Sequence, residues 1–402
     1  MKERRIFIRF CVLQAAYWSF YAAFPGYISA FALSQGISTS LLGVILAANM
    51  LCALSGSLIW GRWVDKNKAG RKFYLLGNGV ALLLGLFLYL FGESPIILLI
   101  TYSLFGFMTG PIPTTLDAWV IATFPGRTDA AARSRAFGTL GFAVVMLLMG
   151  QLIVRFGYEA MPVAAVLFMA VNFAVAPFQP KNREDGEGNA VGQREACSGE
   201  SPRQLLASKR YMLMAAAVFF TGMAIAPINT MKLVLLENVG GDVSVLGWDS
   251  FIGCMIQIPF LMLAGKIRHV RSEKRLLMGA GFAMLYTLFV IQAGNPLVVI
   301  IGTICNNISF GILFPTMREM TEESVSSGLR NTAHGVIDVA YGSLAGMLAT
   351  AWSGVMLERS GIAAMGSICI IMQTIAISFC FAILLAGRKR RKISGPPCAS
   401  RV

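Results

Sequence analysis

The sequence predicts an all-α membrane protein of twelve transmembrane helices, arranged as two six-helix bundles that repeat in parallel. Three observations predict it: an apolar composition, apolar runs of membrane-crossing length, and self-similarity at one fixed spacing. Hydrophobic residues make up 56% of the 402 and charged residues 13%, with mean hydropathy +0.67. Soluble domains carry about 25% charged residues. So apolar a chain has more surface to hide than one water-soluble core accepts, and a bilayer removes the difficulty by solvating the outer faces.

A spanning helix needs about 20 mostly apolar residues. Such runs lie near 8–33, 41–60, 73–91, 96–121, 134–154 and 160–178. A second set lies near 210–235, 245–264, 276–293, 296–317, 332–356 and 362–386. They are too long, and alternate too little, for barrel strands. The basic start MKERRIFIRF resembles a secretion signal, but the apolar run behind it is too long and lacks a convincing cleavage site, so it is expected to stay as the first helix. The expected organisation is an N-terminal bundle over 1–178, a cytoplasmic linker over 179–208, a C-terminal bundle over 209–386 and a cytoplasmic tail over 387–402. The linker is charged, contains Gly and Ser and has no apolar face, which is the composition of a flexible connector.

Charge placement sets the expected orientation. With the N-terminus inside, all of the 34 Lys and Arg except Arg155, Lys232 and Arg359 fall on one side. The positive-inside rule makes that side cytoplasmic, with both termini on it, in a multi-pass protein of the cell membrane. The net charge of +14 then reflects basic loops meeting an anionic leaflet, and no nucleic-acid partner is expected. The eight cysteines show no CxxC spacing, so neither a disulfide framework nor a metal site is expected. There is no Walker A loop and no HExxH, and His269 and His334 are the only histidines. An enzyme is excluded on these grounds, no cofactor is called for, and energy is expected from an ion gradient.

The self-similarity runs at 204 residues. Ser40, Leu42 and Gly43 match Ser244, Leu246 and Gly247; Gly61 matches Gly265, Gly77 matches Gly281, and Pro111 matches Pro315. AFGTL from Ala136 parallels AYGSL from Ala340, and Gly150, Arg155 and Gly157 match Gly354, Arg359 and Gly361. Both halves start on the same side, which makes them parallel repeats about an axis along the membrane normal. Two bundles rocking about a shared midplane site is the expected consequence.

The loop GRWVDKNKAGRK at 61–72 resembles the signature loop of the major facilitator superfamily, with Gly61, Asp65, Arg71 and Lys72 at its marked positions and one extra residue between Asp65 and Gly70. The resemblance covers span count, repeat, linker and loop. It implies that this loop latches a cytoplasmic gate; in chemical terms, Asp65 can accept from N–H groups at a helix N-terminus while Gly61 lets the second and third helices turn tightly. A finer likeness lies in PIPTTLDAWV at 111–120 and RSRAFGTLGF at 133–142, which resemble the lactose-permease and phenylpropionate-permease branch. It places Asp117 in the acidic position and Arg135, Gly138 and Gly141 at a helix start, and implies proton-coupled uptake.

Ionisable groups inside a bilayer are costly, so each is a functional candidate. The proton or coupling candidates are Asp117, Arg135, Asp249, Asp338 and His334. Asp117 with Arg135 can equally be a structural pair, Asp249 can reach the outer interface, and His334, four residues before Asp338 on one helix face, is either an interfacial histidine or half of a proton relay with it. Lys232 is read first as a stem that snorkels to the interface, and otherwise as a partner for Asp249 or an anionic substrate. The resemblance places spans one, four, seven and ten around the cavity. Gln14, Tyr17, Trp18, Tyr21, Asn229, Asn306 and Asn307 are then substrate-contact candidates, with Asn49 and Gln257 from spans two and eight. Aromatic faces with a few amides suit a sugar or an aromatic acid. The expectation is a monomeric secondary transporter importing a small organic solute with protons by alternating access. A drug or metabolite exporter and a transporter-like sensor that binds without transport are the alternatives.

Overall fold

The computed structural model describes residues 2–67, 70–125, 127, 129–180, 204–263, 269–326 and 329–393. Among them every regular element is helical. The middle of the linker, the loop at Gly265, the end of the tail and the Asp65 side chain lie outside the described residues.

The first half comprises α1 (Lys2–Ala23), α2 (Ile28–Ser34), α3 (Thr39–Asn67), α4 (Gly70–Phe91), α5 (Pro95–Thr109), α6 (Ile112–Thr123), α7 (Asp129–Phe156) and α8 (Ala160–Val175). Pro25 sits in a tight helical turn that divides α1 from α2, and Pro111 divides α5 from α6, so six spans are built from eight helices. A short α9 (Gln204–Ala207) leads into the second half: α10 (Lys209–Thr230), α11 (Lys232–Glu237), α12 (Val243–Leu263), α13 (Ser272–Ile291), α14 (Pro296–Ser324), α15 (Arg330–Asp338) and α16 (Ala345–Ile393). Between α15 and α16 the backbone widens into a π-type stretch at Val339–Leu344. Pro227, Pro259 and Pro315 lie inside continuous helices.

Among the described residues eleven helical stretches are long and apolar enough to cross a membrane, the last running from Thr332 to Ala386 over 55 residues. At about 1.5 Å per residue that stretch is far longer than a hydrocarbon core of about 30 Å. Its backbone leaves helical geometry at Gly361, φ 78 and ψ −179. The repeat explains the break, since Gly157, the equivalent of Gly361, has φ 76 and separates α7 from α8. The stretch is therefore two spans, and the total is twelve. The remaining left-handed glycines, Gly36 and Gly240, are also equivalents of one another. Many large apolar side chains face outward, Leu83, Val163 and Leu297 among them, as lipid-solvated helices require.

Gly61 lies inside α3 rather than at a turn, which corrects the expectation that it lets the second and third helices fold back. α3 continues through Gly61 to Asn67, and α4 starts at Gly70.

Candidate functional site

We call the side that carries the termini and the Lys- and Arg-rich loops the basic face, and the opposite side the far face. The two halves meet at the far face through paired glycines. A Cβ on Gly43 would lie 2.7 Å from the Thr350 carbonyl oxygen and 3.3 Å from Gly354 Cα. On Gly247 it would lie 2.7 Å from the Met146 carbonyl oxygen and 3.4 Å from Gly150 Cα. Met146 and Thr350 are themselves repeat equivalents, so α3 against α16 and α12 against α7 are two copies of one contact. Polar groups fasten the rim: Ser40 N–H donates to Glu358 Oε2 at 2.8 Å, and Gln151 Nε2 donates to Ser244 Oγ at 2.8 Å. Tyr27 adds a hydrogen bond from its hydroxyl to the Met146 carbonyl.

Within the first half, Asp117 joins three helices. Its Oδ1 accepts from Gln14 Nε2 at 2.7 Å, and its Oδ2 accepts from Arg135 at 2.7 Å. The Arg135 guanidinium lies 5.8 Å from the Trp18 ring centroid, a cation–π contact, and remains 51% exposed. The glycines of RSRAFGTLGF make this possible. A Cβ on Gly138 would lie 2.4 Å from the Trp18 ring, and one on Gly141 3.0 Å from the Ala15 carbonyl, so α7 presses flat on α1 and holds Arg135 beside it. Tyr21 packs on Trp18 at 5.7 Å between centroids, while Tyr17 is fully buried and donates to the Thr109 carbonyl at 3.3 Å. The structure thus brings together Gln14, Trp18, Tyr21, Asp117 and Arg135, all singled out from sequence, and sets Tyr17 behind them as packing.

The second half answers with the opposite order of charge. Arg318 on α14 donates to Asp338 on α15 at 2.6 Å, and its guanidinium covers the Phe314 ring at 5.1 Å. His334 does not join Asp338. Its Nε2 lies 3.8 Å from Glu322, and Asp338 pairs with Arg318 instead of forming a relay with it. Arg318 was missed in the sequence because it stands in the polar end MREMTEES, where charge looks like an ordinary loop.

A third group is sealed inside the second half. Lys232 Nζ donates to Asp249 Oδ2 and to Thr303 Oγ1, both at 2.9 Å. The ammonium lies 5.4 Å from the Tyr286 ring centroid, and the Tyr286 hydroxyl donates to Asn229 Oδ1 at 2.6 Å. Asp249 is 1% exposed. Lys232 therefore does not snorkel, because an anion within reach solvates its charge better than a distant interface does. Tyr286 and Thr303 gave no sequence signal, being single neutral residues in apolar helices.

The remaining amides act locally. Asn49 donates to the Tyr102 carbonyl at 2.7 Å, Asn307 donates to the Thr303 carbonyl at 2.9 Å, and Gln257 and Asn306 are half-buried. At the basic face Arg71 donates to the Gln179 carbonyl at 3.2 Å, and Lys72 is exposed. No group of three His, Cys, Asp or Glu that could hold a metal occurs among the described residues.

The profile of the MFS_1 like family matches residues 10–382. The chain belongs to that family. It is a membrane transporter of the major facilitator type and not an enzyme. A maltose permease of Geobacillus stearothermophilus is 23% identical over 379 residues, 93% of each chain. An uncharacterised transporter, YwbF, of Bacillus subtilis strain 168 is 22% identical over 309 residues, 74% of this chain and 73% of that one. Among solved structures, a point variant of the nucleoside transporter NupG superposes with TM-score 0.78 at 12% identity, covering 94% of this chain and 99% of that one. A bacterial homologue of the human lysosomal transporter Spinster, inward-facing and unoccupied, gives 0.74 at 13% identity and covers 98% and 99%. A D-xylose–proton symporter gives 0.69 at 14% identity and covers 94% and 97%. These likenesses confirm the fold of this family member.

Proposed function

We propose that this transporter imports a small organic solute together with protons, as a monomer in the cell membrane, and that the structure is its inward-facing state. The observation that carries this reading is the doubled glycine contact at the far face. A seam of backbone against backbone, with few side chains to disengage, is suited to parting and resealing, and its two copies part together under the repeat. The basic face is the cytoplasmic one by the positive-inside rule, with both termini on it. The bundles at 1–178 and 209–386 are the moving bodies.

The proposed solute contacts are Trp18, Tyr21, Asp117 and Arg135 in the first half, with Gln14 holding Asp117 from behind, and Arg318 with Asp338 in the second. Aromatic faces beside bidentate polar groups fit a sugar, a nucleoside or an aromatic acid. The maltose permease, nucleoside transporter and xylose–proton symporter among its relatives and neighbours support that solute class, and the last supports the proton. Uptake of radiolabelled maltose, uridine and benzoate into proteoliposomes, with and without an inward proton gradient, tests the reading. Accumulation on the gradient is expected for one of the three. Uptake that ignores the gradient removes the symport.

A further inference from the structure

We propose that Asp249 is the proton-binding group of the transport cycle and that Lys232 is the counter-charge that takes the proton's place when it leaves. The proposal rests on the proton-coupled reading above.

The repeat supplies an internal control. α2 begins at Ile28 and α11 at Lys232; α3 begins at Thr39 and α12 at Val243, so the spacing of 204 is kept through this region. Under it Lys232 corresponds to Ile28 and Asp249 to Ile45, both buried in the first half's apolar core. The same corner of the fold is therefore built without charge in one half. A buried ion pair is commonly neutral or worse for stability than apolar residues of similar volume. Packing alone gives no reason for the pair, and an ionisable group at membrane depth marks transport chemistry.

The geometry selects a proton over a metal ion. Asp249 Oδ2 holds the ammonium at 2.9 Å, while Oδ1 is buried with no hydrogen-bond partner. One bare carboxylate oxygen accepts one proton, whereas a metal ion needs several oxygens and would meet the ammonium as a like charge. The other titratable groups facing the pair are Tyr286 on α13 and Cys254 on α12 itself, with Cys369 on α16 behind Tyr286. On protonation the O–H bond forms at Oδ1, the carboxylate becomes neutral, and the ammonium keeps Thr303. The cluster then carries one net positive charge, which a sealed interior disfavours and a hydrated one accepts. Protonation thus belongs with an open far face and the ion pair with a closed one. Gly247 and Asp249 sit about 200° apart around α12. The proton site therefore lies within one helical turn of the far-face seam, on the helix that makes it.

The test is substrate-free. Spin labels in far-face hairpins of the two halves report the open fraction of the purified full chain as pH is lowered from alkaline to mildly acidic. Wild type is expected to open on acidification, by about tenfold in the open-to-closed ratio for each unit by which the site's affinity differs between states. Asp249→Asn is expected to favour the open form at every pH. Lys232→Ile with Asp249→Ile, which installs the first half's residues, is expected to stay closed and lose the response. That double variant keeps Glu358, the carboxylate at the rim, so a wild-type response persisting in it overturns the proposal, as does a wild type indifferent to pH. A pH response without gradient-driven uptake supports Asp249 and removes symport. Gradient-driven uptake retained in the double variant supports symport and overturns Asp249.

Discussion

Gly43 and Gly354 bring two helices of opposite halves so close that a Cβ on either would stand 3.3 or 3.2 Å from the other's Cα. On Gly354 the added carbon would also lie 2.1 Å from the Thr39 carbonyl oxygen, a clash with backbone that cannot turn aside.

Gly354→Val is therefore expected to drive the protein out of the state seen here and toward one open at the far face. Distances between spin labels on the two halves should lengthen while thermal stability falls little, because each bundle stays intact. Gly56→Val is the contrast. Its Cβ would lie 2.0 Å from the Phe107 carbonyl within one half, so it should lower the melting temperature without a specific opening.

Glu358 holds the start of α3 by accepting from Ser40 N–H, and it is a partner from the other half. Glu358→Gln weakens an acceptor at a helix N-terminus, where negative charge is favoured. The same distance measurement should show a shift in the direction of Gly354→Val but smaller.

Asp117→Asn removes the charge that Arg135 and Gln14 share. Charge-assisted hydrogen bonds are worth about 1.5–3 kcal/mol, and the exposure of Arg135 brings this pair to the low end or below. Uptake into proteoliposomes should fall by about tenfold, which corresponds to about 1.4 kcal/mol. Unchanged uptake would place Asp117 outside the solute's path.

Arg275 is a structural case. Its side chain is 2% exposed, with one nitrogen 2.5 Å from Glu319 and Nε donating to the Val270 carbonyl. Glu319→Ala leaves a buried guanidinium short of its anion and should cost about 3 kcal/mol in denaturation. Arg275→Met combined with Glu319→Leu should recover most of that loss.

The twelve spans and the repeat were legible because hydropathy and spacing act along the chain. Asp117 with Arg135 was legible too, as acid and base at the ends of adjacent spans. What the sequence hid were meetings across the fold. Ser40, Gly43, Gly150, Gly247 and Gly354 stood out as repeat matches, yet nothing local says that they face one another. Asp338 looked toward His334, four residues before it, and instead found Arg318 twenty residues away on another helix. Lys232 looked like an interfacial residue because its partners, Asp249, Thr303 and Tyr286, come from three other helices.

The four left-handed glycines have a mechanical consequence. Gly36, Gly157, Gly240 and Gly361 each lie seven residues from a contact glycine: Gly43, Gly150, Gly247 and Gly354. Seven residues are two helical turns, about 10 Å. The helices that carry α3 and α7 onward run 29 and 28 residues, about 40 Å. Each is a lever gripped near one end, with a short arm at the far-face hairpin and an arm about three times longer toward the basic face. A tilt that parts the glycines by an ångström or so sweeps the distal ends through several, and the short arm is seven residues long at all four contacts because it was copied with the repeat.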